Sequence, residues 1–163
     1  MILPNGFDEL IKMYGDPRPY LADGDDRDWQ VEILTSIKLP FPLRYYWGEK
    51  DTEFSVSKTL RVHKLAADVF LMTLECLVRE GLSEYVTHHG GAYNYRAKRG
   101  SSKLSTHVWA LAHDLNPRTN KQGTPGDMNP DVIAVYEAHG WVWGGRWHGK
   151  SRDPMHMQLV LNY

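Results

Sequence analysis

Three residues in the second half of the chain are the strongest candidates for chemistry: His107, Asp114 and His156. Two imidazoles and one carboxylate make three protein ligands, and a tetrahedral zinc ion bound by them would keep its fourth position open, as catalytic zinc sites do. Asp153 stands three residues before the last of them and could take a proton from a water activated by such an ion. The sequence therefore raises the hypothesis of a catalytic zinc site.

The spacing of the candidate ligands restricts the structure that must position them. His107 and Asp114 are seven residues apart, so a continuous strand would point them to opposite faces. A continuous helix would separate them by about 10.5 Å along its axis. Both could reach one ion if the chain turns between them and Asp114 lies in a strand, with His156 on a C-terminal strand beside it. The pattern also fits a buried histidine with a satisfied hydrogen bond, and Asp153-Pro154 alone also fits a surface turn.

Hydrophobic periodicity predicts the elements that frame these residues. Apolar residues at helical spacing, together with proline and glycine at the ends, predict helices over residues 7–13, 59–80 and 127–139. Runs of β-branched and aromatic residues predict extended chain over residues 29–47, 141–147 and 156–163. An acidic segment, 23–28, is predicted to be a loop. We expect an α+β fold, with helices packed on a small, mainly antiparallel sheet, in a single domain over residues 1–163.

The composition argues against several classes of partner. The 163 residues carry a net charge of −1, so no broad basic surface is expected for nucleic acid or an anionic membrane. A local basic cluster of Arg96, Lys98, Arg99 and Lys103 favours an anionic substrate. Cys76 is the only cysteine, which excludes an intramolecular disulfide, and no run of about 18 apolar residues could span a bilayer. We expect a monomer that neither binds nucleic acid nor inserts stably into membranes.

Two motifs carry a resemblance to a known family. Ser105-x-His107 followed by Asp114, and then Asp153-x-x-His156 some forty residues later, resemble the M15 family of zinc peptidases. Further stretches are most similar to the endolysin-type branch of that family (its subfamily C), the L-alanyl-D-glutamate endopeptidases: residues 91–96, 114–117 and 140–147. The resemblance covers about 30–163, leaving 1–29 as an N-terminal helix and loop extension. It implies a fold like that of hedgehog and the D-Ala-D-Ala peptidases.

The resemblance also implies roles for particular residues. The three candidate ligands would hold one catalytic Zn²⁺ ion, with Asp153 as the catalytic base. Arg96 falls where the family has an arginine expected to polarise the scissile carbonyl or hold the oxyanion, and Arg99 competes for that role. Weaker candidates for substrate contact are Arg99, Ser105, Trp143 and His148.

Three residues depart from the family pattern. Ala110 stands where glycine is usual, and the change is a strained one if the residue has a positive φ. His113 should face away from the zinc, because it is adjacent to Asp114 on a strand. Gln158 stands where glutamate is common, and its amide oxygen could still accept a hydrogen bond from a ligand histidine.

The resemblance implies hydrolysis of a peptide bond in the peptidoglycan stem, with the bond between L-alanine and D-glutamate favoured, as in a phage endolysin. One alternative is a D-alanyl-D-alanine carboxypeptidase or dipeptidase with the same metal chemistry. A second is a non-catalytic, zinc-containing module that binds the cell wall. The N-terminus shows no secretion signal, so we expect cytoplasmic synthesis and action on periplasmic or cell-wall peptidoglycan after release, in a host cell if the protein is phage-encoded.

Overall fold

Helices and two antiparallel sheets alternate along the chain. The computed structural model describes residues 2–21, 24–98 and 100–163. The helices within them are α1 Gly6–Tyr14, α2 Arg27–Ile33, α3 Ala67–Arg79 and α4 Pro130–Ala138. The strands are β1 Leu34–Tyr46, β2 Phe54–His63, β3 His89–Gly91, β4 Ala112–Leu115, β5 Val142–Trp143 and β6 His156–Gln158. The predicted α+β class is confirmed.

The first sheet is a long antiparallel hairpin of β1 and β2. Leu34 pairs with His63 at its base, and Tyr46 pairs with Phe54 near its tip. The register shifts once, across the segment that contains both prolines of β1. Proline cannot donate a ladder hydrogen bond, and this irregularity is consistent with its confinement to edges and bulges.

Around the hairpin, several predicted element boundaries are wrong. The sequence pattern predicts a helix from residue 59, but Thr59–His63 belongs to β2. Leu60 and Val62 are buried, whereas Thr59 and Arg61 are exposed, and pairing with β1 stabilises this period of two. The pattern also predicts extended chain over residues 29–33, which belong to α2, where Trp29 and Ile33 lie four apart on one buried face.

The second sheet has the strand order β3-β4-β6-β5, and its strands are short. β4 pairs with β6 so that Asp114 lies directly opposite His156. The predicted extended chain over 141–147 is wrong beyond Trp143, where a 3₁₀ turn begins at Gly144. The predicted strand over 156–163 ends at Gln158.

The elements share one hydrophobic core, which runs from Leu10 to Val160 in sequence. Helices α1 and α4 confirm the predictions for 7–13 and 127–139, and Pro130 occupies the first turn of α4. Cys76 is buried in α3. Asp23 of the predicted acidic loop lies outside the described residues. Within the described ranges, no helix has the length and apolar character that crossing a bilayer requires.

Candidate metal centre and cleft

His107 is positioned by a 3₁₀ turn that begins after Ser105. The hydroxyl of Ser105 caps this turn by accepting a hydrogen bond from the backbone N–H of His107, at 3.4 Å. The imidazole is buried, and its Nδ1 lies 3.0 Å from the carbonyl oxygen of Ala92. Since a carbonyl can only accept, Nδ1 carries the proton, and the lone pair of Nε2 can face a metal ion.

Ala110 reverses the chain between the first two candidate ligands. Its φ of 50° and ψ of 36° are left-handed, and its N–H donates to the carbonyl of His107 at 3.0 Å. A left-handed conformation costs an L-residue about 1–2 kcal/mol, so this departure from the family's glycine is the strained kind. The reversal brings Asp114 back on β4, with its Oδ1 3.2 Å from Nε2 of His107.

His156 comes to the same point from β6. Its Nδ1 lies 3.0 Å from Oδ1 of Asp114, and its Nε2 lies 3.1 Å from Oε1 of Gln158. The same amide oxygen accepts from the hydroxyl of Thr106 at 3.3 Å, while the amide nitrogen donates to the carbonyl of Val160 at 2.7 Å. The Val160 contact fixes the orientation of the Gln158 amide, which in turn holds the proton on Nε2 of His156.

The electrostatics of the three residues suit a cation. Burial alone would raise the pKa of Asp114, but the charges and hydrogen bonds of His107 and His156 outweigh it and hold that pKa well below the ordinary value. Burial likewise opposes protonation of His156, while Asp114 raises its pKa overall. One donor atom from each residue lies within 4.8 Å of the others. Ligands about 2.0–2.2 Å from one ion would be spaced in this way, so the group can hold a metal ion.

Asp153 is presented by a tight turn beside the three residues. Its N–H donates to the carbonyl of Gly144 at 2.9 Å, and its own carbonyl accepts from the N–H of His156 at 3.1 Å. The indole of Trp143 donates to the carbonyl of Pro154 at 2.8 Å and ties the turn to β5. A Cβ on Gly144 would lie 2.6 Å from the Asp153 carbonyl oxygen, so only glycine permits this approach.

These groups open onto one cleft of about 1240 Å³. Asp114, His156 and Asp153 line it, together with two further predicted site residues, Arg96 and Ser105. The predicted substrate contacts Trp143 and His148 are not among its lining residues: the first supports the Asp153 turn, and the second is exposed. Arg99 lies outside the described residues.

His113, the remaining departure from the family pattern, lies in the hydrophobic core. Its side chain is fully buried, Nδ1 lies 3.2 Å from the hydroxyl of Tyr136, and burial lowers its pKa to about 3. The supporting roles of Ala92, Thr106 and Gly144 are not predicted from the sequence. Gly144 stands in a glycine pair that the sequence displays, whereas the other two act through contacts that only the folded chain creates.

The comparisons with known proteins bear on this part of the chain. Residues 99–159 match the M15 family model described as D-alanyl-D-alanine carboxypeptidase. No curated protein and no solved structure gives a significant match. The matched segment contains all three candidate ligands and Asp153. The match confirms the resemblance to the M15 peptidases over residues 99–159 and supports the conclusion that the chain is a peptidase of the D-alanyl-D-alanine carboxypeptidase kind.

Proposed function

We propose that this protein is a zinc-dependent peptidase that cuts the peptidoglycan stem between L-alanine and D-glutamate, in the manner of a phage endolysin. The observation that carries the proposal is the convergence of His107, Asp114 and His156 on one point of an open cleft, next to Asp153. Both outer imidazole nitrogens are held by fixed acceptors, which is the arrangement that orients metal-binding histidines.

In the proposed reaction, a bound zinc ion supplies Lewis acidity and lowers the pKa of a water. Asp153 takes the proton from the attacking water and later delivers it to the leaving amine, as a carboxylate within reach of both can do. Asp114 and the two histidines would hold the ion.

Arg96 is our candidate for stabilising the oxyanion. It is half-buried in the cleft wall, and its backbone carbonyl accepts from the N–H of Ser105 at 3.0 Å, which ties it to the residue that caps the His107 turn. Among the described residues, its guanidinium makes a long hydrogen bond, 3.4 Å, to the carbonyl of Ala97, and a guanidinium carries five N–H donors that could also serve a substrate oxygen. A preorganised donor of this kind is worth about 3 kcal/mol of barrier.

The size of the cleft supports an endopeptidase. Pockets for small ligands occupy about 300–1,000 Å³, and this cleft exceeds that range at about 1240 Å³. A longer stem peptide, still attached to glycan, could therefore lie across it. The family match favours the second candidate, a D-alanyl-D-alanine carboxypeptidase on the same residues.

Digestion of purified Gram-negative peptidoglycan separates these candidates. We expect fragments with a new L-alanine carboxyl and D-glutamate amine by mass spectrometry, loss of cleavage with a zinc chelator, and recovery when zinc is returned. Asp153→Asn should lose cleavage, and Asp51→Asn, at an exposed acid of the β1–β2 turn, should keep it. Release of D-alanine alone would establish the carboxypeptidase, and a wall bound but intact would establish a non-catalytic binding module.

We also propose that residues 1–163 act as one domain, which the core from Leu10 to Val160 supports, and that the protein is a monomer. The substrate implies action on peptidoglycan outside the cytoplasm, after release of the protein. Sedimentation of the zinc-loaded protein should give the mass of one chain, and a dimer would overturn the monomer.

A further inference from the structure

A half-buried lysine stands in the wall of the cleft. Nζ of Lys98 lies 3.8 Å from the centroid of the Tyr163 ring, and the residue lines the same cleft as Asp114 and Asp153. Among the described residues, none of the ion pairs involves Lys98. The ring of Tyr163 stabilises the ammonium group only weakly, as a cation over an aromatic face is.

Several cations elsewhere on the surface have carboxylate partners. Such pairs join Arg18 to Asp16, Lys64 to Glu32, and Arg146 to Glu137. Burial, followed by the charge of Lys103, lowers the pKa of Lys98 to about 8. A charge removed from water without a partner is destabilised. The carboxylate or other anion of a bound ligand would therefore stabilise the charged form of Lys98, which burial disfavours.

The backbone around Lys98 is fixed rather than free. Ala97 and Leu104 form an antiparallel bridge, and the N–H of Lys98 donates to the carbonyl of Lys103 at 2.8 Å. Side chains two residues apart in extended chain share a face, and Arg96 and Lys98 both line the cleft. Arg96, the proposed oxyanion donor, and Lys98 are therefore neighbours on one wall of the cleft.

We propose that Lys98 binds a carboxylate of the substrate beside the scissile bond and thereby selects acidic stem peptides. The inference rests on the proposed function. D-Glutamate continues the stem through its γ-carboxyl, so its free α-carboxylate lies next to the nitrogen of the bond to L-alanine. In a carboxypeptidase, the terminal carboxylate of D-alanine would lie next to the scissile bond. The volume of the cleft favours the first source.

Binding can be measured without turnover in an Asp153→Asn background. The probes are three stem pentapeptides: one unmodified, one with the D-glutamate α-carboxyl amidated, and one with the terminal D-alanine carboxyl amidated. Lys98→Met keeps the apolar stem and removes the charge. By calorimetry we expect it to weaken binding of the unmodified peptide about 10- to 100-fold, the effect of losing a hydrogen bond to a charged group.

The pattern across the probes identifies the carboxylate. The Lys98→Met effect should vanish on the peptide amidated at D-glutamate and persist on the peptide amidated at D-alanine. The opposite pattern would assign Lys98 to the terminal carboxylate and move the protein to the carboxypeptidase class. Equal affinities with and without Lys98→Met on all three peptides would overturn the inference.

Two matched variants separate direct contact from general charge. Lys103→Met removes a charge from the residue whose carbonyl accepts from the N–H of Lys98. Lys103 is exposed and does not line the cleft, so we expect little change in peptide binding. Lys98→Arg keeps the charge and should keep the selectivity. If Lys98→Met fails to fold by circular dichroism, the unchanged Lys98 protein still tests the idea, because it must bind the unmodified peptide more tightly than at least one amidated peptide.

Failure of this inference and failure of the proposed function give different results. Wall digestion by the wild-type protein tests the function, whereas the binding pattern tests Lys98. Cleavage after L-alanine with no carboxylate selectivity would remove only the inference. Carboxylate selectivity without any cleavage would remove only the proposed activity and leave a binding site for acidic stem peptides.

Discussion

The two sheets of this molecule are stabilised in different ways. The hairpin sheet has strands of 13 and 10 residues, whereas the strands around the candidate metal centre have only two to four. A long ladder is defined by its backbone hydrogen bonds. The short sheet depends on side chains as well, such as Gln158 on the carbonyl of Val160 and Trp143 on that of Pro154. The candidate metal ligands therefore lie in the sheet whose geometry depends on side-chain contacts as well as on backbone pairing.

The boundary of the family match follows the same division. Residues 99–159 include β4, β5 and β6 but not the hairpin. Backbone hydrogen bonds join the hairpin to segments that lead into the short sheet: the N–H of His63 donates to the carbonyl of Ala110 at 3.3 Å, and the N–H of Arg44 donates to the carbonyl of Thr87 at 3.1 Å. We therefore expect changes in the short sheet to affect metal binding and cleavage, and changes in the hairpin to affect stability.

The largest effect is expected from Asp114→Asn. The amide is a poor ligand for zinc, so we expect the protein to lose its bound zinc and its cleavage to fall to background. Elemental analysis of the purified protein and wall digestion measure the two effects. Thr59→Ala, on the exposed face of β2, should change neither. One tightly bound zinc per chain in Asp114→Asn would contradict the proposed ligand set.

A smaller effect on the same centre is expected from Gln158→Leu. The change removes the oxygen that accepts from Nε2 of His156, at 3.1 Å, and such supporting contacts are worth about 10- to 100-fold in metal affinity. Competition with a chromophoric chelator measures it. Gln158→Glu keeps an acceptor and adds a negative charge, so it should bind zinc at least as tightly as the parent. Equal losses in both variants would mean that packing, not the hydrogen bond, matters.

In the hairpin, the expected effect is on stability against pH. His63 is buried at the base of β2, and burial lowers its pKa to about 4 from an unfolded value of 6.5. As the pH is lowered, His63 is therefore protonated in the unfolded chain before it is protonated in the folded protein. The contribution of His63 to the free energy of unfolding is complete above pH 6.5 and is lost as the pH is lowered towards 4, by on the order of 3 kcal/mol.

Urea unfolding of the metal-free protein at several pH values tests this assignment. His63→Gln should reduce the pH dependence between 6.5 and 4, because a neutral side chain replaces one of the imidazoles whose pKa burial lowers. His148→Gln, at an exposed position, serves as the control and should leave the slope unchanged. Identical slopes in all three proteins would show that other groups carry the acid sensitivity.

The smallest effect is expected where the two sheets meet. Ala110→Gly relieves a left-handed alanine, worth about 1–2 kcal/mol, but loses one buried methyl, worth about 0.8 kcal/mol. Glycine also costs about 0.5–1 kcal/mol of backbone entropy, so we expect a net change within about 1 kcal/mol of zero in the free energy of unfolding. Ala112→Gly, in β4, loses the methyl without relief and should destabilise by about 1–2 kcal/mol. Equal destabilisation in both variants would refute the strain at Ala110.

Local chemistry accounts for the features that could be predicted from the sequence. Pro130 starts α4, and Gly81, with a φ of 70°, follows the end of α3, because proline and glycine restrict or permit particular backbone angles wherever they stand. The α+β class and the chemical types of the candidate ligands could also be predicted, since imidazole and carboxylate are zinc ligands in any fold.

Contacts between distant parts of the chain determine which of these residues meet. Thr59–His63 has spacing that fits a helix, and its pairing with β1 made it a strand. The register of β4 on β6 set Asp114 against His156, and contacts to Ala92 and Gln158 selected the imidazole nitrogens that face the metal centre. Partners distant in sequence supply these interactions, and their free energy exceeds the local preference of a short segment.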